Sequence, residues 1–549
     1  MSLHPRTQYA VPAETARVAK ACLPHGHPYL RLSDELGTLF CDHDFADLFP
    51  ARGQPAVAPG RLALVTLLQF GERLPDRQAA DAVRSRIDWK YLLGLELTDP
   101  GFDHSILSEF RDRLVDHEAT SRLFDLVLER LQALGVIRAR GRQRSDSTHV
   151  LGAIRAINRL ELVGEAMRAA LNALATAAPE WLRGHARPEW VARYGPRFAH
   201  ARLPESSTRQ QALAEAIGAD GSALLHAVYR AEAPPSLRTV PAVDILRQIW
   251  VQNYFTREDG GIAWRDHDNI PPAARFISSP YDLDAHYARK YSIQWVGYKV
   301  HLTETCDDVT PPLITHVLTT TGPVDDSKAT ASMHAALETK GLLPRCHIVD
   351  AGYVDAELLA VSQRDYAIDL CGAVRGSVRW QADTEGAFDL SCFVIDWERQ
   401  RVTCPAGHTS LSWTPAVDHR DNDVINITFA RGDCRDCPSR ARCTRTVRRT
   451  LTIRPREQHE ALLANRQRQP TPEFQAEQAR RCGIEGTLSY GIRLCGMRRA
   501  RSSGLAKTHL QQCASAAVMN LARVVRWRSG EPRAYTRQTP FQKLQQAFA

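Results

Sequence analysis

The 549-residue chain contains no apolar run near the ~18 residues that a membrane-spanning helix requires, which excludes a helical membrane protein. Met1–Ala21 lacks the basic start, apolar core and small-residue cleavage site of a secretory leader; it is polar and contains Pro5 and Pro12. Without a leader, thirteen cysteines, an odd number, do not read as a disulfide framework. A soluble, cytoplasmic protein is expected. Internal repeats and long low-complexity segments are also missing, which excludes a repeat array.

What is present is an ordinary globular composition, 44% hydrophobic, in a chain long enough for two to four domains. The net charge of +8 is modest, so its distribution matters more than its sum. Nine basic residues lie between Arg431 and Arg456, against Asp433 and Asp436. Seven more lie between Arg480 and Lys507, where Glu485 is the only acid. A run of this kind is usually a solvated face. A lone acid among arginines instead favours a surface turned toward phosphate.

Residues 30 to about 140 read as helical. Gly60–Phe70 carries apolar residues at helical spacing, a second helix is expected from Asp76 to Trp89, and Asp103 or Ser105 suits the cap of a third. A different pattern begins near Gln143. Ser145–Leu151 reads as a short strand, and Val296, Tyr298, Val300 and Leu302 alternate with polar or small residues, the period of a half-buried strand. Leu313–Thr320 reads as a third strand, followed by a helix from Asp325 or Asp326 to Thr339. Cys346–Asp350 is a buried strand and Leu370–Val374 another. Two insertions interrupt this series. Residues 152–290 look helical over 160–178 and then Pro-rich and irregular; residues 376–480 are basic and contain cysteines.

Three carboxylates stand in distinctive settings: Asp146 in Ser145-Asp146-Ser147-Thr148, Asp350 in Asp350-Ala351-Gly352-Tyr353, and Glu485 in Gly483-Ile484-Glu485-Gly486-Thr487. Alone, the first is an ordinary turn residue, the second a common strand exit and the third a helix N-terminal acid. Two acids at strand ends and one on a helix, amid basic residues, instead suit a site for hard divalent cations against a phosphodiester. Arg481 precedes Glu485 by four residues and shares its face if the helix already includes it. In the second insertion, Cys404, Cys434, Cys437 and Cys443, with His408 as a substitute ligand, have the spacing of a small structural zinc site; the bland alternative is four thiols without an ion.

These pieces, with Gly297-Tyr298-Lys299-Val300-His301, Arg498-Arg499-Ala500-Arg501 and Gly504-Leu505-Ala506-Lys507-Thr508, resemble the DDE-type transposases of bacterial insertion sequences, in particular the eleven-eighty-two group. The resemblance runs in order from residue 30 to residue 525. It implies an α/β fold with a ribonuclease-H-like mixed sheet and two insertions, preceded by an all-α N-terminal domain. The implied domains are a helical DNA-binding region 1–140, a catalytic core 141–375 carrying insertion 152–290, the basic insertion 376–480, the last core helices 481–530 and a tail 531–549. It further implies two Mg²⁺ ions on Asp146, Asp350 and Glu485, and DNA contacts from Arg481, Arg493, Arg498, Arg499, Arg501 and Lys507. Double-stranded DNA, as terminal inverted repeats and target, is the implied partner, with a homodimer in the active complex. Related groups carry the array Y-x2-R-x3-E-x6-K. Arg481 and Glu485 fit it, whereas Gln478 and Ile492 stand at the Tyr and Lys positions. A nuclease that cuts without joining, and a zinc-stapled DNA-binding protein derived from a transposon, are the alternatives.

Overall fold

The computed structural model describes residues 3, 5–50, 52–198, 203–376, 379–531, 539–541 and 544; most of the expected tail 531–549 lies outside them. No described helix is long and apolar enough to cross a membrane. All thirteen cysteines are free thiols.

The helices of the first 140 residues begin where local chemistry permits. Pro59 opens the buried helix Pro59–Gly71, since a proline in the first turn forfeits no hydrogen bond. The helix expected over Asp76–Trp89 is two helices, Asp76–Ser85 and Ile87–Leu92. Arg86 between them is extended, and its guanidinium pairs with both Glu72 and Asp88. Asp103 accepts a hydrogen bond from the Ser105 amide (2.9 Å) at the start of Ser105–Asp116.

A six-stranded mixed sheet follows. Its central strand, Ile293–Thr305, runs antiparallel to Arg142–Leu151 on one side and to His286–Lys290 and Ile314–Thr321 on the other. Arg142–Leu151 pairs in parallel with Cys346–Ile348, which pairs in parallel with Asp369–Cys371. Helices Asp326–Thr339 and Ala356–Tyr366 link the last strands. The expected order of three strands, helix, strand, helix, strand is therefore present, with the strand His286–Lys290 in addition. Gly297 is required by close approach: its φ is +150°, and a Cβ there would lie 2.2 Å from the Val150 carbonyl oxygen. The hairpin that opens this strand places Lys290 Nζ 4.0 Å from Asp326 Oδ2.

One hydrophobic core crosses the expected boundary at residue 140. Trp89, Phe110 and Phe124 from the N-terminal helices share it with Val150, Tyr298 and Leu302 of the sheet and Met519 and Val524 of helix Leu505–Arg528. That last helix also holds the sheet by hydrogen bonds. Asn520 accepts from the Ile314 amide (2.8 Å) and donates to its carbonyl (2.7 Å), satisfying buried backbone as a neighbouring strand would.

The first insertion corrects the expectation of an irregular second half. Beyond helix Arg159–Ala177 come Ser207–Tyr229 and Pro241–Asn253, packed on a separate core that includes Met167, Ile217, Leu246 and Trp250. Its prolines start helices instead of breaking them: Pro179, Pro188 and Pro241 all stand in a first turn. The second insertion is a small β unit of Ser412–Val417, Asp423–Thr428 and Thr450–Ile453 around Phe393, Ile427 and Phe429.

Beneath helix Asp326–Thr339, His334 Nε2 lies 2.8 Å from His347 Nδ1, and His347 Nε2 lies 2.7 Å from Ser145 Oγ. Burial pulls His334 down to about 4 and His316 to about 3, and holds His347 well below its ordinary value. Each is neutral when folded and binds a proton near pH ~6.5 when unfolded. Below that point the unfolded state holds more protons, so stability falls with pH until each folded pKa is reached. Lowering the pH from 6.5 toward 4 is expected to cost up to about 1.4 kcal/mol per pH unit per histidine. Urea unfolding at a series of pH values measures the slope; a flat profile over this window would contradict it.

Candidate active site

Asp146 lies in the middle of strand Arg142–Leu151, not at its end as expected. The antiparallel ladder with the central strand continues on to Leu151, while the parallel ladder with Cys346–Ile348 stops at Arg144. Asp146 therefore sits just past the point where one neighbour leaves it. Asp350 follows that departing strand by two residues, and its carboxylate accepts from the Ala351 amide (2.7 Å). Glu485 occupies the first turn of Gly483–Cys495, directly after Pro472–Arg481.

Arg481 joins these carboxylates. Its Nη1 lies 3.2 Å from Asp146 Oδ2 and its Nη2 lies 3.2 Å from Glu485 Oε1. Burial acts to lower its pKa, but the charges of Asp146, Asp350 and Glu485 outweigh this and hold the guanidinium above its ordinary value. All three acids thus act on one cation. Burial pushes the Asp146 carboxyl up; the Ser147 amide, Arg481 and Lys290 oppose the rise and Asp350 adds to it. Electrostatically, this is a site that favours positive charge. Among the described residues, however, no three His, Cys, Asp or Glu side chains are drawn together as metal ligands.

A buried ion cluster fixes the Glu485 helix against the sheet. Glu304, fully buried, accepts from Arg144 Nη2 (2.7 Å), Arg523 Nη1 (2.9 Å) and Thr487 Oγ1 (2.6 Å). Arg144 also donates to the Arg480 carbonyl (2.5 Å), passing where a Cβ on Gly483 would lie 2.0 Å from its Nη1. A side chain at Gly483, two residues before Glu485, would have to displace this guanidinium. On the opposite side of the site, Tyr353 is fully buried with its hydroxyl 2.8 Å from His301 Nδ1. Lys299 Nζ donates to Asp326 Oδ1 (3.1 Å). Sequence reasoning assigned no role to Glu304, Asp326, Lys290 or Lys299. Lys299, His301 and Tyr353 did lie within the quoted motifs, and that was the available signal.

Arg493, Arg498, Arg499, Arg501 and Lys507 are all exposed. Arg498 Nε lies 3.0 Å from Thr148 Oγ1 on the Asp146 strand, Arg501 donates to the Leu74 carbonyl and lies over the Phe70 ring, and Lys507 pairs with Asp112 (2.8 Å). Gln478, at the tyrosine position of the array, donates to the Cys371 carbonyl (2.7 Å) and so ties its helix to the sheet.

In the second insertion, Cys404, Cys434, Cys437, Cys443 and His408 line one cavity of about 30 Å³. The Arg449 amide donates to Cys434 Sγ (3.4 Å), and the Cys404–His408 turn closes through Cys404 N to His408 O (2.9 Å). Burial raises the Cys443 thiol, Arg449 opposes this, and the three other cysteines add to the rise.

Residues 403–525 match the family described as Transposase DDE domain. Residues 17–113 match the one described as Transposase domain (DUF772). Two segments of the chain are thus similar to transposase domains, consistent with a DDE transposase of the kind found in insertion sequences. The DDE domain match contains Arg481, Glu485 and the four cysteines, while Asp146 and Asp350 lie upstream of it. No curated protein matches the chain.

Proposed function

We propose that the chain is an insertion-sequence transposase that binds terminal inverted repeats and carries out metal-dependent phosphodiester hydrolysis and strand transfer. The observation that carries this reading is Arg481 bridging Asp146 and Glu485, with the charge of Asp350 acting on the same guanidinium. The strand order, three antiparallel strands followed by two parallel ones, supports a ribonuclease-H-like core.

The donor set fits hard divalent cations: three carboxylates, with a guanidinium already bridging two of them. Asp146, Asp350 and Glu485 would hold two Mg²⁺ ions, which would lower the pKa of the attacking water or 3′-hydroxyl and neutralise the leaving oxygen. Arg481 balances the buried carboxylate until then, and once released its planar fork suits a phosphate. Glu304 and its partners keep the Glu485 helix in register with the Asp146 strand. Arg493, Arg498 and Arg499 contribute a sequence-blind attraction for the DNA backbone. The N-terminal helices grip the repeats, and a homodimer handles the two ends.

A donor plasmid carrying the coding sequence with its flanking DNA tests this reading. Purified protein with Mg²⁺ is expected to cut at the element's ends and join them to a second plasmid. Cutting at any duplex without joining would favour the nuclease, and binding without cutting the DNA-binding derivative.

For the cysteines, the fit is again chemical. Cys404, Cys434, Cys437 and Cys443 line one water-sized cavity, and thiols suit Zn²⁺; drawn together on the ion they would staple the β unit that carries nine nearby basic residues. Protein produced in zinc-containing medium is expected to hold one zinc per chain by elemental analysis. Cys437→Ser should lose it and open the insertion to proteolysis. Zinc-free, protease-resistant wild type would count against the site.

A further inference from the structure

We propose that the Tyr353 hydroxyl is a positioning group that sets the separation of Asp146 and Asp350 for metal binding; this rests on the reading of the carboxylates as a divalent-cation site. The two acids belong to neighbouring parallel strands, but the ladder between those strands ends at Arg144 and Ile348, two residues before each acid. Backbone pairing therefore stops short of the site. A metal site needs its ligands held to within about 0.5 Å, so something else must fix their spacing.

Tyr353 spans the gap. It ends the short turn Ala351–Tyr353 that follows Asp350, and its amide donates to the Asp350 carbonyl (3.0 Å). Thr330 Oγ1, on helix Asp326–Thr339, donates to the Tyr353 carbonyl (2.8 Å), which fixes the turn to that helix. The hydroxyl reaches the other side. It lies 2.8 Å from His301 Nδ1 and is also hydrogen-bonded by the Ser147 side chain. His301 stands directly opposite Ser147 in the ladder between the central strand and the Asp146 strand, and Ser147 adjoins Asp146. One hydroxyl thus ties the Asp350 turn to the residue pair beside Asp146. The imidazole suits this use. Burial pulls His301 down to about 4, so it is neutral, with one donor and one acceptor nitrogen. Nε2 lies 3.2 Å from Thr320 Oγ1 and donates there, which leaves Nδ1 to accept from Tyr353. Burial also holds the Tyr353 hydroxyl well above its ordinary value, so it keeps its proton. A phenylalanine would fill the same buried space, so the alignment rests on the hydroxyl and not on the ring.

The test is Mn²⁺ binding to the full chain, read as loss of the free-ion signal in electron paramagnetic resonance and counting only binding that Asp146→Asn abolishes. Tyr353→Phe is expected to weaken Mn²⁺ about tenfold, the lower end of what groups behind metal ligands contribute. His301→Leu should weaken it likewise, whereas His301→Asn, which keeps an acceptor near the Nδ1 position, should restore most of the affinity. Ile217→Val, in the separate core of the first insertion, should lower the thermal midpoint and leave Mn²⁺ binding unchanged. Saturating Mg²⁺ should return DNA cleavage to Tyr353→Phe, because the acids themselves remain. Wild-type Mn²⁺ affinity in Tyr353→Phe, or equal weakening in Ile217→Val, would overturn the proposal. If Tyr353→Phe does not fold, the His301 pair decides, and wild-type affinity in His301→Leu would overturn it. Wild type that binds no Mn²⁺ removes the metal site and this proposal with it. Wild-type binding that Tyr353→Phe leaves untouched removes this proposal alone.

Discussion

Asp350→Asn is expected to lower Mg²⁺-dependent DNA cleavage by roughly three orders of magnitude, the equivalent of about 4 kcal/mol in the barrier, while leaving the fold and DNA binding in place. The substitution is selective because Asp350 is exposed and its local role is a single hydrogen bond accepted from the Ala351 amide, which an asparagine oxygen also accepts. What it removes is charge, one of the three acting on Arg481. A carboxamide is a poor ligand for a hard cation, so catalysis should fall where folding does not. Equal thermal midpoints and equal binding to the element's ends, alongside lost cleavage, are the expected combination. Cleavage within tenfold of wild type would remove Asp350 from the site.

Glu304→Ala is expected to cost about 3–5 kcal/mol, a large part of the roughly 5–15 kcal/mol that holds a typical domain folded. The Arg144 and Arg523 side chains are only 12% and 16% exposed, and both converge on this carboxylate, which is fully buried. Truncation would leave two desolvated guanidinium groups without a counter-charge and Thr487 without its acceptor. Glu304→Gln, which keeps acceptor oxygen but not charge, should fall between. Urea midpoints of the three proteins decide the order. An alanine variant as stable as wild type would show that the cluster does not hold the Glu485 helix.

Much of this was legible in the chain because it rests on short-range signals. Alternation over Val296–Leu302 gives the central strand, and the four-residue spacing of Arg481 and Glu485 gives their shared face, although they stand in consecutive helices. The settings of Asp146, Asp350 and Glu485 in strand, strand exit and helix give the candidate site. The parts not legible depend on tertiary position. Thr303-Glu304-Thr305 reads as any polar strand end, and only packing by Leu505–Arg528 makes Glu304 the buried partner of two arginines. Arg501 and Lys507 read only as members of a basic run, and nothing local shows that Phe70 and Asp112 of the N-terminal helices lie against them. The approach of Lys290 to Asp326 joins residues 36 positions apart, and no local pattern marks it. The prolines of the first insertion mislead because a proline's effect depends on its place in the turn.

The central claim is that Asp146, Asp350 and Glu485 form one divalent-metal site. Loading the protein with Fe²⁺ and adding ascorbate and peroxide produces hydroxyl radicals that cut the backbone close to bound iron. The cuts are expected to cluster around residues 146, 350 and 485, to fade as Mg²⁺ competes, and to disappear in Asp146→Asn. Cuts that spare one of these three segments, or that persist in Asp146→Asn, would contradict a shared site.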